Sequence, residues 1–297
     1  MFGFRKAERT AILPDPSELT QTISEAAREI CSDTAAIKRS LPDVAADVMS
    51  LCQQAATDAL RIEKSVTRDP FISAQIVSVS NSPMFAPRMP IVSVRDAIVR
   101  IGLSNVNDIV MMVVTSSTMF RIRGFDEHVT QVTSRFPATA LAARLIATTL
   151  KVPAESAFTA GLLHDIGDLI LLDHCVKTGK VKPAMLNEPV FQGVIMDSLQ
   201  ANHAKVGAAV CTVWKLPSST VEAASHHHQY KLGGHHFSAN LVAAADAFAD
   251  IMGIGVPNKR TCDPAEAVFK DLGLKSDQVT STLDQFEKLL PSVRVFK

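Results

Sequence analysis

Four short stretches concentrate the side chains that bind divalent metals: "LLHDIGD" at 162–168, "QANHAKVGAAV" at 200–210, "ASHHHQY" at 224–230 and "VAAADAFAD" at 242–250. A metal site needs neutral imidazole nitrogens and carboxylate oxygens converging from several helices, because one helix face cannot supply enough ligands. The inventory in these stretches is therefore suitable, with His164, Asp165, Asp168, His203, His227, His228 and Asp246 in play and Asp165 as the candidate catalytic residue. On a continuous helix His164 and Asp165 point about 100° apart and straddle a site along the bisecting direction, while Asp168 returns toward the His164 side.

Each of these residues also has a plainer reading. His203, just before Val206, Val210 and Val213, fits a hydrogen-bonded histidine at the edge of an apolar stripe. The run His226 to His228 fits a helix terminus, where imidazolium groups favour the negative end of the dipole. Asp246 fits a cap or one half of an ion pair. The doublet His164–Asp165 is the most informative, because burying two ionisable groups inside "AGLLHDIGDLILL" is costly without a partner. Other chemistries lack their motifs: no phosphate loop of the G-x-x-x-x-G-K-[ST] kind, no G-x-S-x-G elbow and no Gly-rich dinucleotide turn.

The elements that must position these residues are helical. The chain has 297 residues, nearly half of them apolar, with a single Tyr and a single Trp and long segments free of the Gly/Pro punctuation that closely spaced strands need. The expected class is all-α. Thirty basic and thirty acidic residues cancel without forming blocks, so nucleic acid is not an expected partner. The opening "MFGFRKAERTAILPDP" lacks an apolar signal core, and runs such as "DIVMMVVTSSTMF" are too short or too polar to span a bilayer, so a soluble cytoplasmic protein is expected. Five scattered cysteines, Cys31, Cys52, Cys175, Cys211 and Cys262, form no C-x-x-C pair and point to buried or incidental thiols.

Along the chain, a loose arm precedes an amphipathic helix over 17–40 with Ile23, Ala27 and Ile30 on one stripe. Asp43 is expected to cap a helix carrying Val44, Val48, Leu51 and Ala55. Asp69 and Pro70 open the next helix, and Asn81, Ser82 and Pro83 end it. "SVRDAIVRIGLSNVNDIVMMVV" reads as two helices divided at Gly102, with Ser104 or Asn105 capping the second. The polar interval "RIRGFDEHVT" places a boundary near residue 124. After a break at Gly273, a last helix covers "SDQVTSTLDQFEKLL".

Taken together, "RDPFISAQIVSVSNSPMF", "SVRDAIVRIGLSNVNDIV", "AFTAGLLHDIGDLILL", "NHAKVGAAVCTVWKLP" and "HHHQY" resemble the HDOD family, bacterial output modules related to HD-type metal-dependent phosphohydrolases. The resemblance covers about residues 41–246. It implies an N-terminal helical bundle (about 41–124) packed on an HD-like helical lobe (about 125–250), flanked by an arm and helix over 1–40 and a helical extension over 251–297. It also implies one or two divalent metals, iron, manganese, zinc or magnesium, on an early His, the His-Asp doublet, further histidines and a late Asp. Position by position, His164 and Asp165 match the doublet, His203 a second-metal histidine, His227 and His228 the His pair, and Asp246 the closing Asp.

The early His has no counterpart. Ser134, Arg135, Phe136 and Pro137 occupy its turn, and Pro137 is expected to start or kink that helix. Losing one imidazole weakens the metal shell, and a nearby arginine opposes a cation. The first expectation is thus a non-catalytic signalling module that acts through protein partners, its pocket serving as structure or as a small-ligand sensor. A metal-dependent phosphohydrolase and a binder of a nucleotide second messenger, with Arg135 as the anion contact, are the alternatives. Homodimerisation through the helical half is a further expectation. With no receiver, kinase or cyclase segment in the sequence, a signal is expected to arrive through another chain.

Overall fold

A computed structural model describes residues 14–54, 56–82, 85, 89–116, 120–229, 236–255 and 265–293. The expected arm over residues 1–13, together with Ala55, Pro83 and Cys262, lies outside the described residues. Among those described, the chain is all helix and turn, without a strand. The first half contains α1 (Pro16–Ser32), α2 (Thr34–Arg39), α3 (Asp43–Cys52), α4 (Ala59–Val66), α5 (Pro70–Ser80), α6 (Val94–Ile101) and α7 (Leu103–Val114). The second half contains α8 (Asp126–Leu150), α9 (Ala154–Leu163), α10 (Ile166–Lys177), a 3₁₀ turn (Pro183–Asn187), α11 (Pro189–Val213), α12 (Ser218–His226), α13 (Phe237–Ile251), α14 (Ala265–Asp271) and α15 (Ser276–Val293).

Local chemistry sets most of these boundaries. Asp69 accepts from the backbone N–H groups of Phe71 and Ile72, and Pro70 opens α5, where its missing donor is not needed. Gly102 takes φ 83° between α6 and α7, a backbone conformation that L side chains rarely adopt. Three expectations need correction. The helix over 17–40 is two helices, because the Asp33 side chain accepts from Ala36 N and starts α2 while its backbone N–H closes α1. Asp43 is the first residue of α3 rather than its cap, and Pro42 precedes it without a side-chain cap. The second helix of the Gly102 pair starts from Gly102 itself with no side-chain cap; Asn105 donates back to the Ile101 carbonyl at 2.9 Å.

Helices α3 to α7 bury their own core, in which Ile62, Ile76, Ile98 and Val110 are fully enclosed. Among the described residues no single helix is long and apolar enough to cross a membrane. The α6–α7 pair, apolar enough together, bends by 116° and buries Ile98, Ile101, Val106, Ile109, Val110 and Val113 in this core. The bundle joins the second half through α7 and α9. At that joint Asp108 accepts from Thr159 Oγ1 (2.5 Å) and from Arg144 Nη2 (3.2 Å), and the Arg144 guanidinium lies 4.1 Å from the centre of the Phe158 ring.

Helix α8 is the column of the second half. Its N-terminal part shares one core with α1, α9, α10 and α11; its C-terminal part shares another with α13, α14 and α15, where Phe248, Phe269 and Phe286 meet. Pro137 does not start this helix. The helix begins at Asp126, about three turns earlier, and runs on to Leu150 with Pro137 inside it. Burial of Val129, Phe136, Ala140 and Ala143 on both sides of the proline holds the helix through the missing bond.

Candidate metal centre

The His-Asp doublet lies at a break, not on a continuous helix. Helix α9 ends at Leu163 and α10 begins at Ile166, with Asp165 at φ −104°, ψ 10°, in the bridge region between them. Two glycines explain the change of axis. A Cβ at Gly161 would lie 2.7 Å from the Thr139 carbonyl oxygen and 3.0 Å from Ala140 Cα, so α9 is pressed onto α8. A Cβ at Gly167 would lie 2.0 Å from the His203 carbonyl oxygen and 2.4 Å from Gly207 N, so α10 is pressed onto α11. A chain that must meet both neighbours within six residues changes direction between them. At this break His164 Nε2 and Asp165 Oδ2 meet at 3.1 Å.

The other ligand candidates arrive from three further helices. His203 projects from α11 one turn before Gly207, where the helices nearly touch. His227 caps the C-terminus of α12, with Nδ1 bonded to the Ala223 carbonyl at 2.9 Å, and His228 follows it. Asp246 lies in the buried middle of α13. All six predicted residues line one pocket. His226 does not join them; its ring stacks on His236 at 4.2 Å.

Within the pocket, Asp165, His203, His227 and His228 each offer one ligand atom, and all four atoms lie within 4.8 Å of one another. His203 Nε2 is 3.2 Å from His227 Nε2 and 2.9 Å from His228 Nε2, and Asp165 Oδ1 is 3.2 Å from His203 Nε2 and 3.1 Å from His227 Nε2. Ion-to-nitrogen bonds of roughly 2.0–2.1 Å give donor-to-donor edges of about 3.0 Å in octahedral and about 3.3–3.4 Å in tetrahedral coordination. These four spacings fall near those edges, and the remaining two pairs lie within 4.8 Å. The hydrogen-bond inventory points the same way. His227 donates its Nδ1–H to a carbonyl, and a single proton on His203 Nε2 cannot satisfy Asp165 Oδ1, His227 Nε2 and His228 Nε2 together. A cation at the centre would satisfy all four, so the residues fit a divalent ion.

The electrostatics divide the pocket. Burial disfavours the His164 imidazolium, yet Asp165 and Asp246 overcome that cost and raise its pKa to about 10. Burial opposes ionisation of Asp165 as well, but His164 and the hydrogen bonds of His164, His203 and His227 hold it well below the usual carboxylate range. Burial lowers His227, and burial with the charges of His227 and His203 pushes His228 down to about 2. Both rings are therefore held neutral, the form that ligates a metal.

Arg135 occupies the other half. It is 4% exposed, and its Nη2 donates to Asp246 Oδ1 at 2.5 Å while Nη1 donates to Asp250 Oδ1 at 2.7 Å and to the Ile254 carbonyl at 3.0 Å. Asp246, 1% exposed, also accepts from Thr139 Oγ1 at 3.3 Å and is held below the usual carboxylate range by the guanidinium against the cost of burial. The ion-pair reading of Asp246 thus describes its present partner, even though it sits beside the ligand set. Asp168 does not turn toward His164. Its Oδ1 is 2.6 Å from His128 Nε2, a pair enclosed between α8 and α10.

His128, Thr139 and Asp250 are participants that the sequence reading omits. His128, Arg135 and Thr139 stand at i, i+7 and i+11, the spacing of one helical face; Arg135 and Thr139 reach Asp246, and His128 pairs with Asp168. Treating "RIRGFDEHVT" as a connector removes the first turn of α8, residues 126–130, and with it His128 from that stripe.

No curated protein matches the chain. Among solved structures, the fold resembles a protein provisionally named a metal-dependent phosphohydrolase from Shewanella amazonensis SB2B, at 20% identity over 93% of this chain and 99% of that one, with a TM-score of 0.64. It also resembles an HDOD domain protein of unknown function from Geobacter sulfurreducens (20% identity, 86% and 90% of the two chains, TM-score 0.63). A third, provisionally named a signal transduction protein, comes from Marinobacter aquaeolei VT8 (20% identity, 95% and 67%, TM-score 0.63). The HDOD domain itself is matched over residues 39–230, from the start of the α3–α7 bundle through the histidines that follow α12. That span takes in the doublet, His203 and the His pair, and with the all-helical fold it establishes that the chain belongs to the HDOD-domain family.

Proposed function

We propose that the chain is a regulatory signalling module that does not turn over a phosphoester, acting through protein partners, with the pocket as its structural and ligand-sensing centre. The observation that carries this reading is the Arg135 guanidinium on Asp246 Oδ1, which commits one of the six candidate ligands to a buried ion pair. Of the remaining five, Asp165, His203, His227 and His228 supply four clustered protein donors, while His164 Nε2 faces Asp165 Oδ2 at 3.1 Å. For a tetrahedral ion such as zinc, four protein donors make a closed structural shell, whereas hydrolytic sites keep three and leave a position for water. A divalent ion bound there would neutralise Asp165 and fix three imidazoles, tying α10, α11 and the end of α12 together. In this reading Arg135 is an ion-pair partner rather than an anion contact, because its donors are engaged by Asp246, Asp250 and the Ile254 carbonyl.

Support for protein partners comes from the family and from the name of the Marinobacter structure. The alternative, a metal-dependent phosphohydrolase acting on a nucleotide or other phosphoester, draws on the ligand set and on the name of the Shewanella structure. Full-length protein loaded with manganese or iron and offered cyclic dinucleotides and nucleotides separates the two. The expected result is no metal-dependent turnover above that of Asp165→Ala. Turnover that the substitution abolishes would overturn the proposal.

A further inference from the structure

The half of the pocket beyond the four-residue ligand set is built around a positive charge. His164 is fully buried and anchors its ring with Nδ1 on the Gly161 carbonyl at 2.8 Å. That turns Nε2 toward Asp165 Oδ2 at 3.1 Å and Asp246 Oδ1 at 3.5 Å. Two carboxylates therefore converge on one imidazole edge, with His164 and Asp246 both buried, and Asp246 Oδ2 has no hydrogen-bond partner. Such a convergence requires a cation. Besides the His164 ring itself, the cation present is the guanidinium of Arg135, with Nη2 on Asp246 Oδ1 and Nη1 on Asp250 Oδ1.

Its position is built rather than incidental. A Cβ at Gly255 would lie 2.3 Å from Arg135 Cγ and 2.6 Å from Cδ, so the arginine stem passes through space that only a glycine leaves open. The Ile254 carbonyl, the residue before that glycine, takes a further bond from Nη1 at 3.0 Å. Asp250, one helical turn beyond Asp246 on α13, lets the planar fork engage two carboxylates at once.

We infer that Arg135 is a resident cation that stands in place of a second metal ion, so that the pocket admits one ion, on Asp165, His203, His227 and His228, and excludes another between His164, Asp165 and Asp246. The inference deepens the proposed function and relies on it for the first ion only. The second position is tested separately, as a difference between variants.

Full-length wild type, Arg135→Ala and Arg135→Lys are stripped with chelator, saturated with manganese and desalted, and the bound metal is counted by elemental analysis. Thermal melts are recorded with and without manganese. Removing the guanidinium takes from Asp246 its permanent cationic partner and opens space beside His164 and Asp165, so Arg135→Ala is expected to carry one more ion per chain than wild type. Manganese is expected to raise its melting temperature by several degrees more than it raises that of wild type. Arg135→Lys, which keeps a positive charge, is expected to gain no ion. In Arg135→Ala combined with Asp246→Asn, the gained ion should be lost.

A cooperatively melting Arg135→Ala that binds no more metal than wild type would overturn the inference, as would two ions per wild-type chain. If Arg135→Ala does not fold, the wild-type count decides: one ion supports the inference and two overturn it. If wild type takes up no ion while Arg135→Ala takes up one, the single-ion part of the proposed function fails and the role of Arg135 stands.

Discussion

Replacing Gly167 by alanine places a methyl group inside the backbone of the neighbouring helix. The added Cβ would lie 2.0 Å from the His203 carbonyl oxygen and 2.4 Å from Gly207 N, whereas ordinary contact begins at 3.4 Å. Neither atom belongs to a flexible side chain, so α10 must retreat from α11 by about 1.4 Å at this point. Asp165 stands two residues before the contact and His203 on its far side. Their 3.2 Å separation would open to about 4.5 Å, more than 1 Å beyond the edge of a tetrahedral shell. The expected cost is about 1–3 kcal/mol of stability from overpacking. Metal affinity is expected to fall on the order of 100-fold, the scale seen when the groups orienting a metal ligand are disturbed. Urea melts and calorimetric titration with zinc measure the two effects. Gly193→Ala on α11 is the internal control: nothing lies within 4 Å of its added Cβ, so the same substitution should stabilise by about 0.5–1 kcal/mol and leave metal binding unchanged. A Gly167→Ala protein that melts and binds zinc like wild type would refute the claim that this helix contact sets the pocket's spacing.

Three further outcomes follow from the same geometry. Burial pushes the Asp108 carboxyl up to about 6 from 3.8, against the stabilising contacts of Thr159 and Arg144. A carboxyl raised on folding favours the native state while protonated, so about 3 kcal/mol of stability is lost as pH rises between those two values. Asp108→Asn should remove that slope in urea melts run between about pH 4 and 7, and an unchanged slope would reject the assignment. His128 is raised above 6.5, burial opposing and Asp168 prevailing. Its pairing therefore contributes fully below 6.5 and fades as pH rises through the shifted value, so the stability gap between wild type and His128→Gln should shrink with pH; a widening gap contradicts the pairing. Asp69→Ala should cost about 1 kcal/mol by freeing the N–H groups of Phe71 and Ile72, and Asp69→Asn much less, as read by thermal melts.

What the sequence discloses is governed by range. An imidazole or carboxylate inside an apolar helix is conspicuous because its burial is costly, and for that reason His164, Asp165, His203, His227, His228 and Asp246 can be picked out and are found around one pocket. The start of α5 and the division at Gly102 are likewise local matters of capping and backbone freedom. The break at the doublet is not local. Apolar periodicity runs through 157–172 without interruption, and only the neighbours of Gly161 and Gly167 dictate two helix axes. Pro137 misleads in the same way: the rule that proline opens a helix yields to packing on both sides of it. Arg135 reads as an anion contact or a charge opposing a cation, because its partners Asp246 and Asp250 lie 111 and 115 residues away, beyond any spacing rule.

The most direct measurement is anomalous scattering from crystals of the full-length wild-type chain grown with manganese or zinc. The account predicts one peak, bonded to Asp165, His203, His227 and His228, with Arg135 still on Asp246. A peak bonded to Asp246, or bridging Asp165 and Asp246 with the Arg135 guanidinium displaced, would contradict it.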